Sequence, residues 1–186
     1  MGNFPVVAVV ALAMLMSQAF AAWDGSSKVP IRVSRNDSLF YEITSPEELI
    51  GYLATLTSSP GEAHAYLKND IVFGSDTASL SPVFRAQKSN VPYLNSVFDG
   101  QDHTIYGYYS SKGVFETIGS EGVVKNLNLA NSKIGADTVY TIGGLANANL
   151  GQIENVEVRN TQVFSSYHTG GIVGFVNSQS NGTSIS

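Results

Sequence analysis

The chain has 186 residues, with ten Lys and Arg against fifteen Asp and Glu, a formal net charge of −5 and no cysteine. This acidic balance argues against nucleic acid as a partner, because nucleic-acid-binding proteins carry a basic patch, and against an anionic membrane surface. The lack of cysteine excludes thiol catalysis, thiolate metal sites and disulfide bonds.

The first 21 residues have the pattern of a secretory signal peptide. Residues 4–16 form an apolar run, Ala19-Phe20-Ala21 is a small-residue cleavage pattern, and no charged residue precedes Asp24. We expect cleavage after Ala21 and a protein that is secreted or exposed on the outer cell surface. The apolar run is shorter than the about 20 residues of a spanning helix, so no membrane span is expected in the mature chain. An uncleaved membrane anchor is the alternative.

Residues 22–38 are polar and predict a flexible leader, with an edge strand at the alternation of Ile31 and Val33. A β-solenoid is expected from residue 39 to residue 186, and residues 39–43 form its first clear strand.

One helix is predicted at about residues 45–57. Ser45 is the N-cap, Pro46 occupies the first helical position, and Glu48 completes a capping box. The apolar stripe of this helix must pack against another element, and the open end of a solenoid exposes apolar core and unpaired strand edges. We therefore expect this helix to cap the N-terminal end. The stripe comprises Leu49, Ile50, Leu53 and Leu56.

The remaining chain favours β-structure. Residues 66–73 predict a strand, residues 74–96 predict a long loop, and short β runs follow from Phe98 onward. Residues 182–186 have the pattern of another coil opening with no cap after it. We therefore expect a fragment, truncated at its C-terminus, of a longer protein.

Residues 122–134 and 151–163 form an internal repeat at an offset of 29 residues. A period of this size is typical of chains that stack copies of one unit. In each copy the alternation of apolar and polar residues is interrupted once, at Asn126 in the first copy and at Asn155 in the second. A left-handed corner at this position fits asparagine, which tolerates positive φ. Stacked coils would place Asn126 over Asn155 and Asn131 over Asn160 in hydrogen-bonded ladders. The repeated apolar residues are Val124, Leu127, Leu129 and Ile134, then Ile153, Val156, Val158 and Val163.

Three glycine-containing segments resemble the GLUG motif, a short repeat of bacterial secreted and surface proteins. Residues 170–175 (Gly-Gly-Ile-Val-Gly-Phe) match best. The segments 143–147 and 113–116 depart at the fourth position, counted from Gly144 and from Gly113, where Asn147 and Glu116 replace glycine. The resemblance covers about residues 40–186. It implies a right-handed parallel β-helix in a secreted or surface protein, often adhesin-like, without family-wide catalytic residues.

Candidate catalytic and metal-binding residues are few. Asp99, Asp102 and His103 could perform acid–base chemistry, but they lie in a short turn without a partnering Ser or Lys, so we interpret them as turn residues. His64 and His168 lack a second ligand at metal spacing. We therefore expect no catalytic residue, no metal and no cofactor.

Tyr106 and Tyr109 are the candidate ligand-binding residues. Aligning Ile105 with Val124 places Tyr108 inward and leaves Tyr106 and Tyr109 outward. Outward tyrosines suit sugar or protein contact, because the ring stacks while the hydroxyl forms hydrogen bonds. Ordinary β-propensity explains the same residues without a ligand.

Two functional hypotheses follow. The first is a non-enzymatic structural or adhesive module on a bacterial surface, with a polysaccharide or a cell-surface protein as partner. The alternative is a polysaccharide-active lyase or hydrolase, or the glycan-binding part of one. The alternative requires several Asp, Lys or Arg on one outward face in adjacent coils, and the two repeat copies offer only Lys125 over Glu154 and Asn128 over Glu157.

Overall fold

The computed structural model describes residues 23–35, 37–56, 58–59, 61–74, 92–176 and 184–185. Over these residues the chain is a parallel β-solenoid of about 4 turns with one helix, which confirms the predicted fold class. The predicted signal peptide and most of the predicted loop at residues 74–96 lie outside the described residues. Among the described residues no helix is long and apolar enough to cross a membrane.

The chain enters through an antiparallel hairpin and a helix, and then winds through stacked coils. The entry comprises β1 (Arg32–Arg35), β2 (Ser38–Ile43) and α1 (Pro46–Thr55). The first coil contains β3 (Ala65–Leu67), β4 (Ile71–Val72) and β5 (Tyr93–Leu94), and the second contains β6 (Val97–Asp99), β7 (Thr104–Tyr106), β8 (Tyr109–Ser110) and β9 (Phe115–Ile118). The third contains β10 (Val123–Ala130), β11 (Lys133–Gly135), β12 (Thr141–Gly143) and β13 (Ala146–Asn149). The fourth contains β14 (Gln152–Arg159), β15 (Gln162–Phe164), β16 (His168–Gly170) and β17 (Val173–Val176), and β18 (Ser184–Ile185) follows it.

The predicted repeat register is confirmed. β10 and β14 pair in parallel with Val124 beside Ile153 and Leu127 beside Val156, and Ile134 of β11 lies beside Val163 of β15. Strands of successive coils pair in shared parallel ladders, the shortest of which joins only β12 and β16. The same apolar position of successive coils therefore forms a continuous column inside the solenoid. On the first face that column contains Phe98, Val124 and Ile153, all fully buried.

All four repeated asparagines have left-handed backbone conformations, which confirms the corners predicted at Asn126 and Asn155 and adds two at Asn131 and Asn160. The φ angles are 51° at Asn126, 51° at Asn131, 50° at Asn155 and 47° at Asn160. Asparagine tolerates this conformation because its short side chain can form local hydrogen bonds. Asn155 Nδ2 donates to Asn126 Oδ1 at 3.1 Å, which confirms the ladder between these two corners.

Helix α1 begins after the predicted N-cap, and Glu48 N donates to Ser45 Oγ at 3.4 Å. The Glu48 carboxylate, however, accepts from the backbone N and the Oγ1 of Thr44, one residue earlier than a capping box expects. The predicted apolar stripe is buried with Tyr52 in the common core, in agreement with a cap.

The entry segment differs from a flexible leader. β1 is the predicted edge strand, but Trp23 is only 6% exposed, and its ring packs edge-on against Phe73 with centroids 5.6 Å apart. The Trp23 backbone N also donates to Phe73 O at 2.9 Å. Residues 23–35 are thus joined to the solenoid at both ends of the segment.

Two strand boundaries also differ from prediction. The predicted strand at residues 66–73 is divided into β3 and β4 by a turn at residues 68–70, and β5 lies within the predicted loop. The turn is stabilised by Asn69 Nδ2, which donates to Thr44 O at 2.8 Å.

Candidate functional site: an aromatic groove

The two predicted ligand-binding tyrosines lie on different sheets. Tyr106 ends β7, which pairs with β4 and β10, whereas Tyr109 belongs to β8, which pairs with β11. Gly107, with a φ of 67°, turns the chain between them. Both rings are half-buried, and the Lys133 ammonium lies 5.8 Å from the Tyr109 ring centroid. The structure therefore does not bring Tyr106 and Tyr109 together on one flat face.

The alignment of Ile105 with Val124, on which this pair depended, was wrong in register. Val124 pairs with Phe98, and Ile105 pairs with Leu129. The second coil turns its corner through residues 100–103, with Gln101 and Asp102 both at positive φ, where the third coil uses Asn126 alone. The longer corner shifts the register of β7. Tyr108 is nevertheless inward, at 3% exposure.

Asp99, Asp102 and His103 lie in this corner. Asp99 Oδ1 accepts from Gln101 N at 3.0 Å and from Asn126 Nδ2 at 3.2 Å. His103 Nδ1 is 3.4 Å from Asp70 Oδ1. No group of three or more His, Cys, Asp or Glu among the described residues could hold a metal ion. The contacts support the interpretation of these residues as turn chemistry.

One outward row of polar side chains crosses the coils, and the repeat copies alone showed only part of it. Successive pairings place Glu42 beside Tyr66, Tyr66 beside Asp99, Asp99 beside Lys125, and Lys125 beside Glu154. This is the kind of row that a polysaccharide-active enzyme would need.

The charges of this row are largely paired with one another. Lys68 Nζ is 2.8 Å from Glu42 Oε1, and the Tyr66 hydroxyl donates to Glu42 Oε2. Lys125 Nζ is 3.7 Å from Asp99 Oδ2. The hydrogen bonds from Lys68 and Tyr66 lower the pKa of the Glu42 carboxyl, so this group is ionised near neutral pH and unsuited to act as a general acid.

A groove on another face has the features of a ligand site. It is a half-open cavity of about 390 Å³ that spans the second, third and fourth coils. Polar, aromatic and aliphatic side chains share its wall: Glu116, Thr117, Val139, Tyr140, Thr141, Asn147, Ala148 and Phe175.

Tyr140 lines this groove, and Tyr167 stacks on it. The rings of Tyr140 and Tyr167 are nearly parallel, at 12°, with centroids 4.5 Å apart. Pairing of Thr141 with His168 in β12 and β16 places the preceding tyrosines in adjacent coils, one strand spacing apart. Tyr140 is 61% exposed and Tyr167 is 65% exposed, so large apolar ring surfaces face solvent here. The His168 ring packs edge-on against both rings.

A fixed polar pair forms part of the opposite wall. Asn147 is only 6% exposed; its Oδ1 accepts from Gly113 N at 3.1 Å, and its Nδ2 donates to Glu116 Oε2 at 3.0 Å. Lys112 Nζ lies 3.2 Å from the same Glu116 oxygen. The two contacts of the Glu116 carboxylate with described residues both reach Oε2, so Oε1 retains its capacity to accept hydrogen bonds.

The sequence carries a signal for this polar pair in its departures from the glycine motif. Glu116 and Asn147 stand at the fourth position of the motif. Ala146 pairs with Phe115 on one side and Val173 on the other. The residues that follow these three, Glu116, Asn147 and Gly174, therefore occupy equivalent positions in successive coils. Where the motif has glycine, two coils therefore place interacting side chains in the groove wall. The two stacked tyrosines are also visible in the sequence, at the spacing of 27 residues that relates β12 to β16.

The chain matches no protein-family model, no curated protein and no solved structure. The resemblance to the GLUG repeat accordingly depends on the sequence motifs alone, and the comparisons neither support nor contradict it.

Proposed function

We propose that this chain is part of a secreted or cell-surface bacterial protein, in which the solenoid acts as a non-catalytic adhesive module that holds glycan chains in the aromatic groove. The observation that carries the proposal is the exposed Tyr140–Tyr167 stack beside a groove with fixed hydrogen-bonding groups. Aromatic faces bind the C–H surfaces of sugar rings, and neighbouring polar groups fix the orientation of the hydroxyls.

The geometry favours a sugar chain over a compact ligand. Tyr167 covers one face of Tyr140, so the large exposed area of Tyr140 belongs to its other face and its edges. The groove is half-open and crosses three coils. An extended ligand can therefore contact Tyr140 and the Glu116 wall together, whereas a small enclosed ligand would find few walls.

Retention on insoluble cell-wall and plant glycans tests the proposal. The purified protein should be retained on at least one glycan, and Tyr140→Ala with Tyr167→Ala should weaken retention about tenfold or more, since each lost stacking contact removes about 1 kcal/mol. Tyr106→Ala is the matched control, because Tyr106 lies outside the groove. Absence of binding by the parent protein, or an equal effect of Tyr106→Ala with unchanged melting, would contradict the proposal.

The outward row from Glu42 to Glu154 favours a second candidate, a polysaccharide-active enzyme. Its test is separate from binding. Incubation of the protein with pectic and cell-wall polysaccharides should release no reducing sugar and no unsaturated product if the module is non-catalytic. Release that is lost in Lys125→Ala would establish the enzyme instead.

A further inference from the structure

We propose that the aromatic groove selects uncharged glycans over polymers of uronic acids, and that Glu116 is the residue that determines this selectivity. This inference rests on the proposed glycan-binding function. It follows from the contacts of the Glu116 carboxylate and from the distribution of charge around it.

The position of Glu116 is set by buried structure. Asn147 is held by the Gly113 backbone and holds Oε2 of Glu116, so the carboxylate is fixed by a nearly fully buried neighbour. Lys112, which precedes Glu116 in the same coil, approaches the same oxygen. A fixed carboxylate requires no reorganisation when a ligand binds, and such preorganisation favours binding.

An ionised carboxylate accepts hydrogen bonds and donates none. The free acceptor capacity at Glu116 Oε1 therefore suits a ligand group that donates, such as a sugar hydroxyl. Thr117 and Thr141 add hydroxyl groups to the lining, and these can donate or accept. The polar wall thus matches the hydroxyl pattern of a neutral sugar ring that stacks on Tyr140.

A uronate carboxylate in the same place meets a different environment. Glu116 is the charged residue of the groove lining, and its own countercharge, Lys112, is already engaged with it. A second carboxylate would lack a donor at Oε1 and would be repelled by Glu116. The formal net charge of −5 adds a weaker repulsion that salt screens over about 8 to 10 Å.

Titration with soluble hexasaccharides tests this selectivity. We would measure cellohexaose, the hexamer of N-acetylglucosamine and hexagalacturonate at low and high salt. At least one uncharged hexamer should bind, with little salt dependence, and hexagalacturonate should bind about tenfold more weakly at low salt.

Glu116→Gln is the decisive variant, because its amide oxygen can still accept from Asn147. It should weaken binding of the uncharged hexamer about threefold to tenfold and should reduce the discrimination against hexagalacturonate. Glu157→Gln removes the same charge from an exposed side chain outside the groove. It should change neither the affinity for the uncharged hexamer nor the discrimination against hexagalacturonate. Melting curves of both variants establish that the fold is intact.

The outcomes separate the two proposals. If hexagalacturonate binds as well as the uncharged hexamers, or if both Gln variants have the same effect, the selectivity proposal is wrong while glycan binding stands. If the parent protein binds neither the hexasaccharides nor the insoluble glycans, the proposed function itself fails.

Discussion

Helix α1 and its C-cap residue contribute four aliphatic side chains to the N-terminal end, and none of them is more than 3% exposed, whereas the fourth coil leaves three of its repeat positions only partly buried. The residues of the cap are Leu49, Ile50, Leu53 and the C-cap Leu56, and the partly buried positions are Val156, Val158 and Val163. The two regions carry similar apolar residues, so side-chain type alone does not explain the difference.

The third coil provides the internal reference. Leu127, Leu129 and Ile134 are fully buried, although each pairs with one of the partly buried valines of the fourth coil. In the fourth coil Ile153 is fully buried, and it is the repeat position whose backbone pairs with β18. In a solenoid, a repeat position therefore becomes buried through the coil or cap stacked on it, and the contribution of its side chain to stability depends on that neighbour.

The largest effect should come from breaking the helical cap with Leu53→Asp. This change places a carboxylate in a site that is 3% exposed, and burial of an unpaired charge is among the most destabilising substitutions, at more than about 4 kcal/mol. We expect aggregation or no folded protein in expression and circular dichroism. Leu39→Asp is the control, because Leu39 is 54% exposed. A Leu53→Asp monomer that melts like the parent would contradict the capping role.

Valine-to-alanine substitutions in the third and fourth coils should reduce the free energy of unfolding by smaller and unequal amounts. Val124→Ala removes two buried methyl groups from a fully buried position and should lower the free energy of unfolding by roughly 2 kcal/mol. Val156→Ala makes the same chemical change at a partly buried position and should cost less than about 1 kcal/mol. Chemical denaturation of both variants measures the difference. Equal values would show that burial in the fourth coil does not differ energetically from burial in the third.

Much of the fold could be predicted because its causes are local or periodic. Capping at Ser45 and Pro46 depends on neighbouring backbone, and the register of β10 and β14 repeats within the sequence itself. The left-handed corners at Asn126 and Asn155 could be predicted because few residues tolerate positive φ.

Other features depended on contacts between distant parts of the chain. Trp23 lies in a polar stretch of sequence, and its burial against Phe73 results from the path of the entry segment. The longer corner at residues 100–103 shifted the register of Tyr106 and Tyr109, because a period measured between the third and fourth coils does not apply to the second. The groove joins three coils, so no single repeat copy contains it, although its departures from the glycine motif were visible.

The last prediction concerns how the stability of the helical cap depends on pH. Burial raises the pKa of the Glu48 carboxyl, but hydrogen bonds from Thr44 and Lys28 outweigh burial and leave its pKa below the ordinary value of 4.5. A lowered pKa in the folded state means that the carboxylate stabilises the fold above about pH 4.5 and that this contribution is lost as the pH falls through the folded-state pKa.

Glu48→Gln should therefore reduce the free energy of unfolding by about 1 kcal/mol at pH 7, and the difference between variant and parent should shrink as the pH falls below 4.5 through the folded-state pKa of Glu48. Glu47→Gln removes a charge from the same helical turn, and it is the Glu48 carboxylate, not that of Glu47, that accepts from Thr44 and Lys28, so this variant controls for the interaction with the helix dipole. Urea denaturation of the three proteins from pH 3 to pH 7 measures the effect. If the difference between Glu48→Gln and the parent is constant over that range, the Glu48 carboxylate does not contribute to the cap through its charge.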